Sequence, residues 1–345
     1  MRGIIIAGGQ GTRLLPLTSA RPKPLLPIVN APLLRYQLHY LAAAGVTKIC
    51  FATNHLSDQI ENRFGPGDEL GLEITYAVEG SPLDTGGAIR NAFDSMPADD
   101  CIILNGDVIH SFDLGEIIQK HAQRAADVTI VVREVTTPHP YGVVSIGEND
   151  TITGFAEPTE EQKRSFETTS APGQTEFMNA GIYVINAEIL HEFPIGKSKV
   201  ETDVFPKLIA EGKKLLADRQ NGFWVDVGRP KQYLEAVRGV VAGLTPSPNH
   251  FPPRGDSAVN LTADIAPTAA VTGNCSIAAG VVVEPGAVVE RSVILYDSVV
   301  GQNSRVEGCI IDERVEIGQN CVLRNVVIGA DEEVPDGAEM EGNVL

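Results

Sequence analysis

The chain has 345 residues, more than one ordinary core needs, so two domains are expected. Hydrophobic residues make up 43% and charged residues 21%, the balance of a folded globular protein. The formal net charge of −18 argues against non-specific binding to nucleic acid or to an anionic membrane, and it requires any anionic substrate to enter through a locally basic pocket.

Met1-Arg2-Gly3 runs directly into a strand-like segment at 3–7 with no signal-peptide pattern, and no apolar run approaches the ~20 residues that span a bilayer. A cytoplasmic protein is therefore expected. The first strand leads into Gly8-Gly9-Gln10-Gly11-Thr12-Arg13-Leu14, then Pro16-Leu17-Thr18 and Arg21-Pro22-Lys23-Pro24. Glycines after a buried strand let backbone N–H groups point at a phosphate chain, because glycine accepts positive φ and has no side chain to obstruct approach. Ala7, Gly8, Gly9, Gly11, Thr12 and Arg13 are thus nucleotide-binding candidates. Arg13 and Lys23 supply the positive charge that a triphosphate and its leaving pyrophosphate require. The Walker pattern is excluded, since no Gly-Lys-Ser/Thr closes the loop, and Leu14 stands at the third glycine of a dinucleotide fingerprint.

Residues 32–44 place Leu34, Leu38 and Leu41 on one helical face, and Gly45 stops the helix. Strands are expected at 48–53, 74–78, 101–105 and 128–132, alternating with helical patterns. That alternation implies an α/β fold with a mostly parallel sheet, covered on both faces, and a ligand site at the carboxyl ends of the strands. The strand at 101–105 ends in Asn105-Gly106-Asp107, and Phe223-Trp224-Val225 leads into Asp226 and Gly228, so both carboxylates stand at strand ends beside glycine. His55, His110 and His139 read as surface or turn residues.

Residues 243–257, rich in Pro and Gly, read as a linker between a domain at 1–242 and one at 258–345. Beyond the linker, aliphatic residues recur every six positions at Ile265, Val271, Ile277, Val283 and Val289, then resume with slips at Val300, Val306, Ile317 and Leu323. A six-residue period points to a solenoid of short parallel strands, here with about three coils. The acidic stretch from Asp331 to Leu345 breaks the period and is expected to cap the solenoid or fray. The cysteines (Cys50, Cys101, Cys275, Cys309 and Cys321) lack CxxC spacing and read as small buried hydrophobes.

The run from Gly8 to Pro24 resembles the signature of the sugar-1-phosphate nucleotidyltransferases, and most closely that of their mannose-1-phosphate guanylyltransferase members. The likeness extends through Asn105-Gly106-Asp107, Tyr141-Gly142-Val143-Val144, Asn179-Ala180-Gly181-Ile182-Tyr183, Val204-Phe205-Pro206 and Trp224-Val225-Asp226-Val227-Gly228 to the hexads. It implies a Rossmann-like nucleotidyltransferase domain followed by a left-handed parallel β-helix of hexapeptide repeats, the handedness resting on the resemblance alone. It also implies that Arg13, Lys23, Asp107 and Asp226 are catalytic, with Asp107 and Asp226 holding Mg²⁺. The attacking group would be an acceptor phosphate oxygen, already anionic near neutral pH. Positioning and charge neutralisation then suffice, and no general base is needed.

In related enzymes the segment Glu79-Gly80-Ser81-Pro82-Leu83-Asp84-Thr85-Gly86-Gly87 contacts the base, which makes Glu79 and Gly86 further nucleotide-binding candidates. A carboxylate only accepts hydrogen bonds, and guanine offers N1–H and N2–H₂, so Glu79 favours GTP. Asp84 stands where the pattern usually has glycine. On the acceptor side, resemblance points to Gly142, Glu157 and Asn179. The family's Glu-Lys-Pro is Glu157-Pro158 here, without the lysine that holds the sugar phosphate, and Lys163 or Arg164 is the candidate substitute. Three readings stay open: an ordinary mannose-1-phosphate enzyme, a site reshaped for a related acceptor such as a cyclitol phosphate, or a regulatory subunit that binds sugar nucleotide without turnover. An acyltransferase role for the solenoid is disfavoured, because its hexads contain no histidine. Solenoid faces can stack on another subunit, so a homo-oligomer is expected.

Overall fold

The computed structural model describes residues 1–137, 139–157, 173–249 and 253–342. Its first strand, β1 (Arg2–Ile6), has Ile4 and Ile5 fully buried, so consecutive side chains on opposite faces both need cover. The chain forms two compact units. One comprises Met1–Gly8, Tyr40–Gly106 and Phe112–Gly222; the other comprises Gly9–His39, Asp107–Ser111 and Phe223–Leu345.

The first unit is built on a Rossmann-like sheet, nine-stranded among the described residues. In chain order its strands are β1, β2 (Lys48–Thr53), β3 (Glu73–Val78), β4 (Cys101–Asn105), β5 (Val128–Thr136), β6 (Val143–Ile146), β7 (Ile152–Ala156), β8 (Thr175–Ile185) and β9 (Leu215–Arg219). Strands β4, β1, β2 and β3 are parallel neighbours in that order, with Ile5 opposite Phe51 and Phe51 opposite Tyr76. Strand β8 then pairs antiparallel with β4, β5 and β6, and β9 lies parallel to β5. The helix Asp84–Asp94 presents Ala88, Ile89, Ala92 and Phe93 to a core shared with Tyr183, Phe193 and Phe205. The expected strands at 48–53 and 101–105 form with those bounds, and the strand beginning at Val128 runs on to Thr136.

In the second unit, Trp224–Asp226 pairs antiparallel with Val108–His110, the helix Pro230–Val241 follows, and the strands from Ser257–Val259 onward form a parallel β-helix. Five rungs stack in each of its three sheets among the described residues. One sheet runs through Ser257–Val259, Ser276–Ile277, Val293–Ile294, Ile310–Ile311 and Val327–Ile328. The expected three coils are thus five. The described residues after Asp331 continue the stack instead of capping it, with Val334 opposite Ile317 and Met340 opposite Leu323. The slips also have a structural cause. Ile265 pairs with Val283 eighteen residues on, but Val283 pairs with Val300 after seventeen. One turn of each later coil has lost a residue, and this brings Ile294, Ile311 and Ile328 inward. All five cysteines are buried and unbridged.

His110 is not a surface residue. It is fully buried, and burial alone pushes its pKa down to about 3, so it is neutral; its carbonyl accepts the Thr245 hydroxyl. His139 is nearly buried and shares a 3.0 Å hydrogen bond with Glu176 Oε2. Among the described residues, no helix is long and apolar enough to cross a membrane.

Candidate active site

Asp107 and Asp226, far apart in sequence, meet because the strand Trp224–Asp226 sets Asp226 opposite Val108, and the Val227 N–H donates to the Asp107 carbonyl at 2.8 Å. Lys23 reaches both from the first loop of the same unit. Its buried Nζ lies 2.5 Å from Asp107 Oδ2 and 3.9 Å from Asp226 Oδ1. Gly11 lets the loop fold this tightly. At φ 66° a side chain is strained, and its first carbon would stand 2.9 Å from Lys23 Cβ and 3.1 Å from Thr18 Cγ2. The Thr18 hydroxyl locks the turn by donating to the Gly11 carbonyl at 2.9 Å. Arg13 also lies near Asp226. A first side-chain carbon at Gly228 would be 3.4 Å from Arg13 Nη2 and 3.5 Å from both Asp226 oxygens. Two cations therefore face two carboxylates. Gly9 and Thr12, in the same loop, are exposed.

Burial foremost, and then the Asp107 charge, hold the Asp226 carboxyl above the usual carboxylate range, against the opposing pull of Lys23 and Arg13. Its Oδ1 is buried and accepts no hydrogen bond among the described residues. An ionised oxygen in that position gains from added positive charge, which is what a divalent cation brings. No group of three or more His, Cys, Asp or Glu side chains forms a metal cage among the described residues. The pair therefore suits a cation that completes its shell with substrate phosphates and water, as Mg²⁺ does.

In the first unit, the Ala7 N–H donates to the Ala52 carbonyl, which ties the end of β1 to β2. A side chain at Gly8 would meet Asn54 and Glu79 Oε1, 3.3 and 3.6 Å from its first carbon. Glu79 is only 9% exposed. Its Oε2 accepts the Leu83 N–H at 3.0 Å and the Asn54 amide at 3.4 Å, so it pins the loop that follows β3. Asp84, which stands where the pattern usually has glycine, takes a φ of 55°. Gly86 packs against Ser198. Its N–H donates to the Ser198 carbonyl, and a side chain there would come within 2.7 Å of Ser198 Oγ, so close packing explains the glycine.

In the same unit, Asn179 donates to the Tyr183 hydroxyl at 2.7 Å and to Glu201 Oε1 at 2.9 Å, and it accepts the Gly181 N–H. Glu157 is exposed beside Gly142, where a side chain would come within 2.6 Å of Glu157 Oε1. Glu201 belongs to this cluster and was missed in the sequence, although it stands three residues before the noted Val204-Phe205-Pro206. Burial raises its pKa, and the Glu157 charge adds to the effect. Lys163 and Arg164 lie outside the described residues.

A glycine-rich turn that gathers two cations against two carboxylates, in a chain built on a Rossmann-like sheet, defines an enzyme of nucleotidyl transfer. Residues 2–242 match the Nucleotidyl transferase family, and residues 254–345 match the GMPPB C-terminal domain. The chain belongs to the nucleotidyl transferase family. It is 34% identical to the mannose-1-phosphate guanylyltransferase of Mycobacterium tuberculosis, across 90% of this chain and 82% of that one. It is 32% identical to the catalytic subunit beta of the Drosophila melanogaster mannose-1-phosphate guanylyltransferase, across 99% and 92%. Among solved structures, HddC from Yersinia pseudotuberculosis complexed with GMP-PN matches with a TM-score of 0.58 and 27% identity, across 70% of this chain and all of that one.

Proposed function

We propose that this enzyme transfers GMP from GTP to mannose-1-phosphate, forming GDP-mannose and releasing pyrophosphate. The observation that carries the reading is Lys23 Nζ set between Asp107 and Asp226, with Arg13 beside Asp226. Asp107 and Asp226 would hold Mg²⁺, which when bound supplies positive charge for the triphosphate and for the attacked α-phosphorus. Lys23 and Arg13 balance the charge that gathers on the departing pyrophosphate. The acceptor phosphate is already anionic, so the protein's task is alignment, and no proton needs to be removed. The amides of Gly8, Gly9, Gly11 and Thr12 would cradle the phosphates, and Glu79 Oε1 would accept from the base. Asn179, Glu157 and the Gly142 backbone would bind acceptor hydroxyls.

The same reading divides the chain into a transferase domain at 1–242, a linker at 243–257 and a β-helix domain at 258–345, in a cytoplasmic homo-oligomer. The two family matches, which end at 242 and begin at 254, support that division. A second acceptor, a cyclitol phosphate or another sugar phosphate, is favoured by one feature, the missing lysine after Glu157.

The test is pyrophosphate release with Mg²⁺ and mannose-1-phosphate, using GTP, UTP, dTTP, ATP and CTP in parallel, with Asp107→Asn and an EDTA-treated sample as controls. Release with GTP alone, lost in both controls, supports the reading. Release only with another phosphorylated acceptor moves the assignment to the second one. No release with any combination refutes catalysis.

A further inference from the structure

The loop that carries Lys23 has no long element of its own to hold it. Between Gly9 and Leu26 it contains two short 3-10 turns, Thr12–Leu14 and Lys23–Leu25. Two residues before Lys23, the Arg21 guanidinium enters the fourth rung of the β-helix. Its Nη2 donates to Asp312 Oδ1 at 2.8 Å, and its Nη1 lies 3.1 Å from Glu313 Oε1. The Asp312 side chain is 3% exposed and that of Arg21 is 15% exposed. Asp312 is itself fixed on three sides. Its N–H donates to the Ile328 carbonyl at 3.0 Å, its carbonyl accepts from Ser298 Oγ at 2.7 Å, and its Oδ1 accepts the Glu313 N–H at 2.8 Å. Two further ties hold the loop and the residue that follows it. Gly329 faces Pro16 so closely that a first side-chain carbon would lie 3.1 Å away, and the Tyr233 hydroxyl donates to the Pro27 carbonyl at 2.5 Å.

A buried ion pair is a costly way to gain stability, since apolar side chains of similar size do as well or better. What it adds is direction, because a guanidinium fork accepts a carboxylate only along set lines. We propose that Arg21 and Asp312 are a positioning pair through which the β-helix holds Lys23 in register with Asp107 and Asp226. The proposal rests on the transferase reading for the role of Lys23. Neither Arg21 nor Asp312 touches a reacting atom. Their effect passes through Pro22 and the turn at Lys23, where the Leu25 N–H closes back on the Pro22 carbonyl at 2.9 Å.

The experiment uses the full chain with Asp312→Ala, Asp312→Asn and Arg21→Lys, each also combined with Lys23→Ala. It reads kcat, the KM for each substrate, and amide hydrogen exchange over residues 11–26. Asp312→Ala lowers kcat by about tenfold or more while both KM values move less than about twofold, the scale that a misplacement of under an ångström produces. Asp312→Asn keeps an acceptor oxygen and recovers part of the loss. In the Lys23→Ala background, Asp312→Ala lowers kcat no further. Exchange over residues 11–26 quickens in Asp312→Ala. The proposal is overturned if kcat stays within about twofold of wild type in a folded variant, or if the Asp312 and Lys23 losses multiply as independent sites do. Should Asp312→Ala not fold, Asp312→Asn and Arg21→Lys decide by the same criteria. If the wild type turns over no substrate, the transferase reading fails while exchange over residues 11–26 still decides the positioning claim: unchanged exchange refutes it.

Discussion

Glutamine at position 79 separates the proposed base-reading role of Glu79 from its role in the loop. Its Oε2 accepts the Leu83 N–H at 3.0 Å, and that bond survives in Glu79→Gln through the amide oxygen. The other oxygen, beside Gly8, becomes an NH₂ group. A guanine donor then loses a hydrogen bond to a charged acceptor, worth about 1.5–3 kcal/mol, and meets a second donor instead. Converted at 1.36 kcal/mol per decade, the loss in kcat/KM for GTP is about 10- to 150-fold. UTP and dTTP, whose rings offer both a donor and an acceptor, should gain relative to GTP. Initial rates of pyrophosphate release with each triphosphate measure the ratio, and a melting temperature within about 1 °C of wild type shows that the loop is intact. A kcat/KM for GTP within about threefold of wild type, with the melt unchanged, would refute the assignment of Glu79 to the base.

Lys23→Ala should lower kcat by about 10²–10³-fold, the usual cost of one preorganised donor of charge stabilisation; a loss below about fivefold in steady-state kinetics rules that role out. His110 titrates near 6.5 when unfolded but is held down to about 3 in the fold, so between those values protons favour the unfolded chain. Its share of stability is therefore lost as pH falls below ~6.5, at up to ~1.4 kcal/mol per pH unit. Urea titrations at pH 7 and pH 5 should show wild type losing about 2 kcal/mol more than His110→Asn does. Asp84→Gly relieves a non-glycine φ of 55° at the loss of a mostly exposed pair with Lys197, so it should raise stability by about 0.5–1 kcal/mol; a lower melting temperature contradicts the strain.

Much of this architecture is written locally. The apolar runs at 48–53 and 101–105 are strands because they must be buried on both faces, and six-residue spacing has few structural solutions besides a solenoid. The number of coils was not legible. Losing one residue per coil puts Ile294, Ile311 and Ile328 out of phase with a strict hexad, and the acidic end hides Val334 and Met340. Asp107, Asp226, Lys23 and Arg13 could be singled out by motif, but their mutual distances depend on a two-stranded pairing that no local pattern encodes. Glu201 escaped notice because a lone glutamate in a helical turn has no signature; only its bond to Asn179 reveals it. His110 misled for the same reason, since its burial is imposed by segments remote in sequence.

The Arg21–Asp312 pair joins residues 291 positions apart, and that separation has a consequence in time. At the usual 5–20 residues per second of synthesis, Asp312 is made about 15–60 s after Arg21. Throughout that interval the nascent chain carries its glycine loop, Lys23 and eventually both carboxylates without the anchor that the fourth rung provides. Under the proposed positioning role, Lys23 is thus set against Asp107 and Asp226 only late in the life of the growing polypeptide. A chain released early, before its solenoid is made, would carry every residue of the proposed catalytic cluster and lack the partner of Arg21.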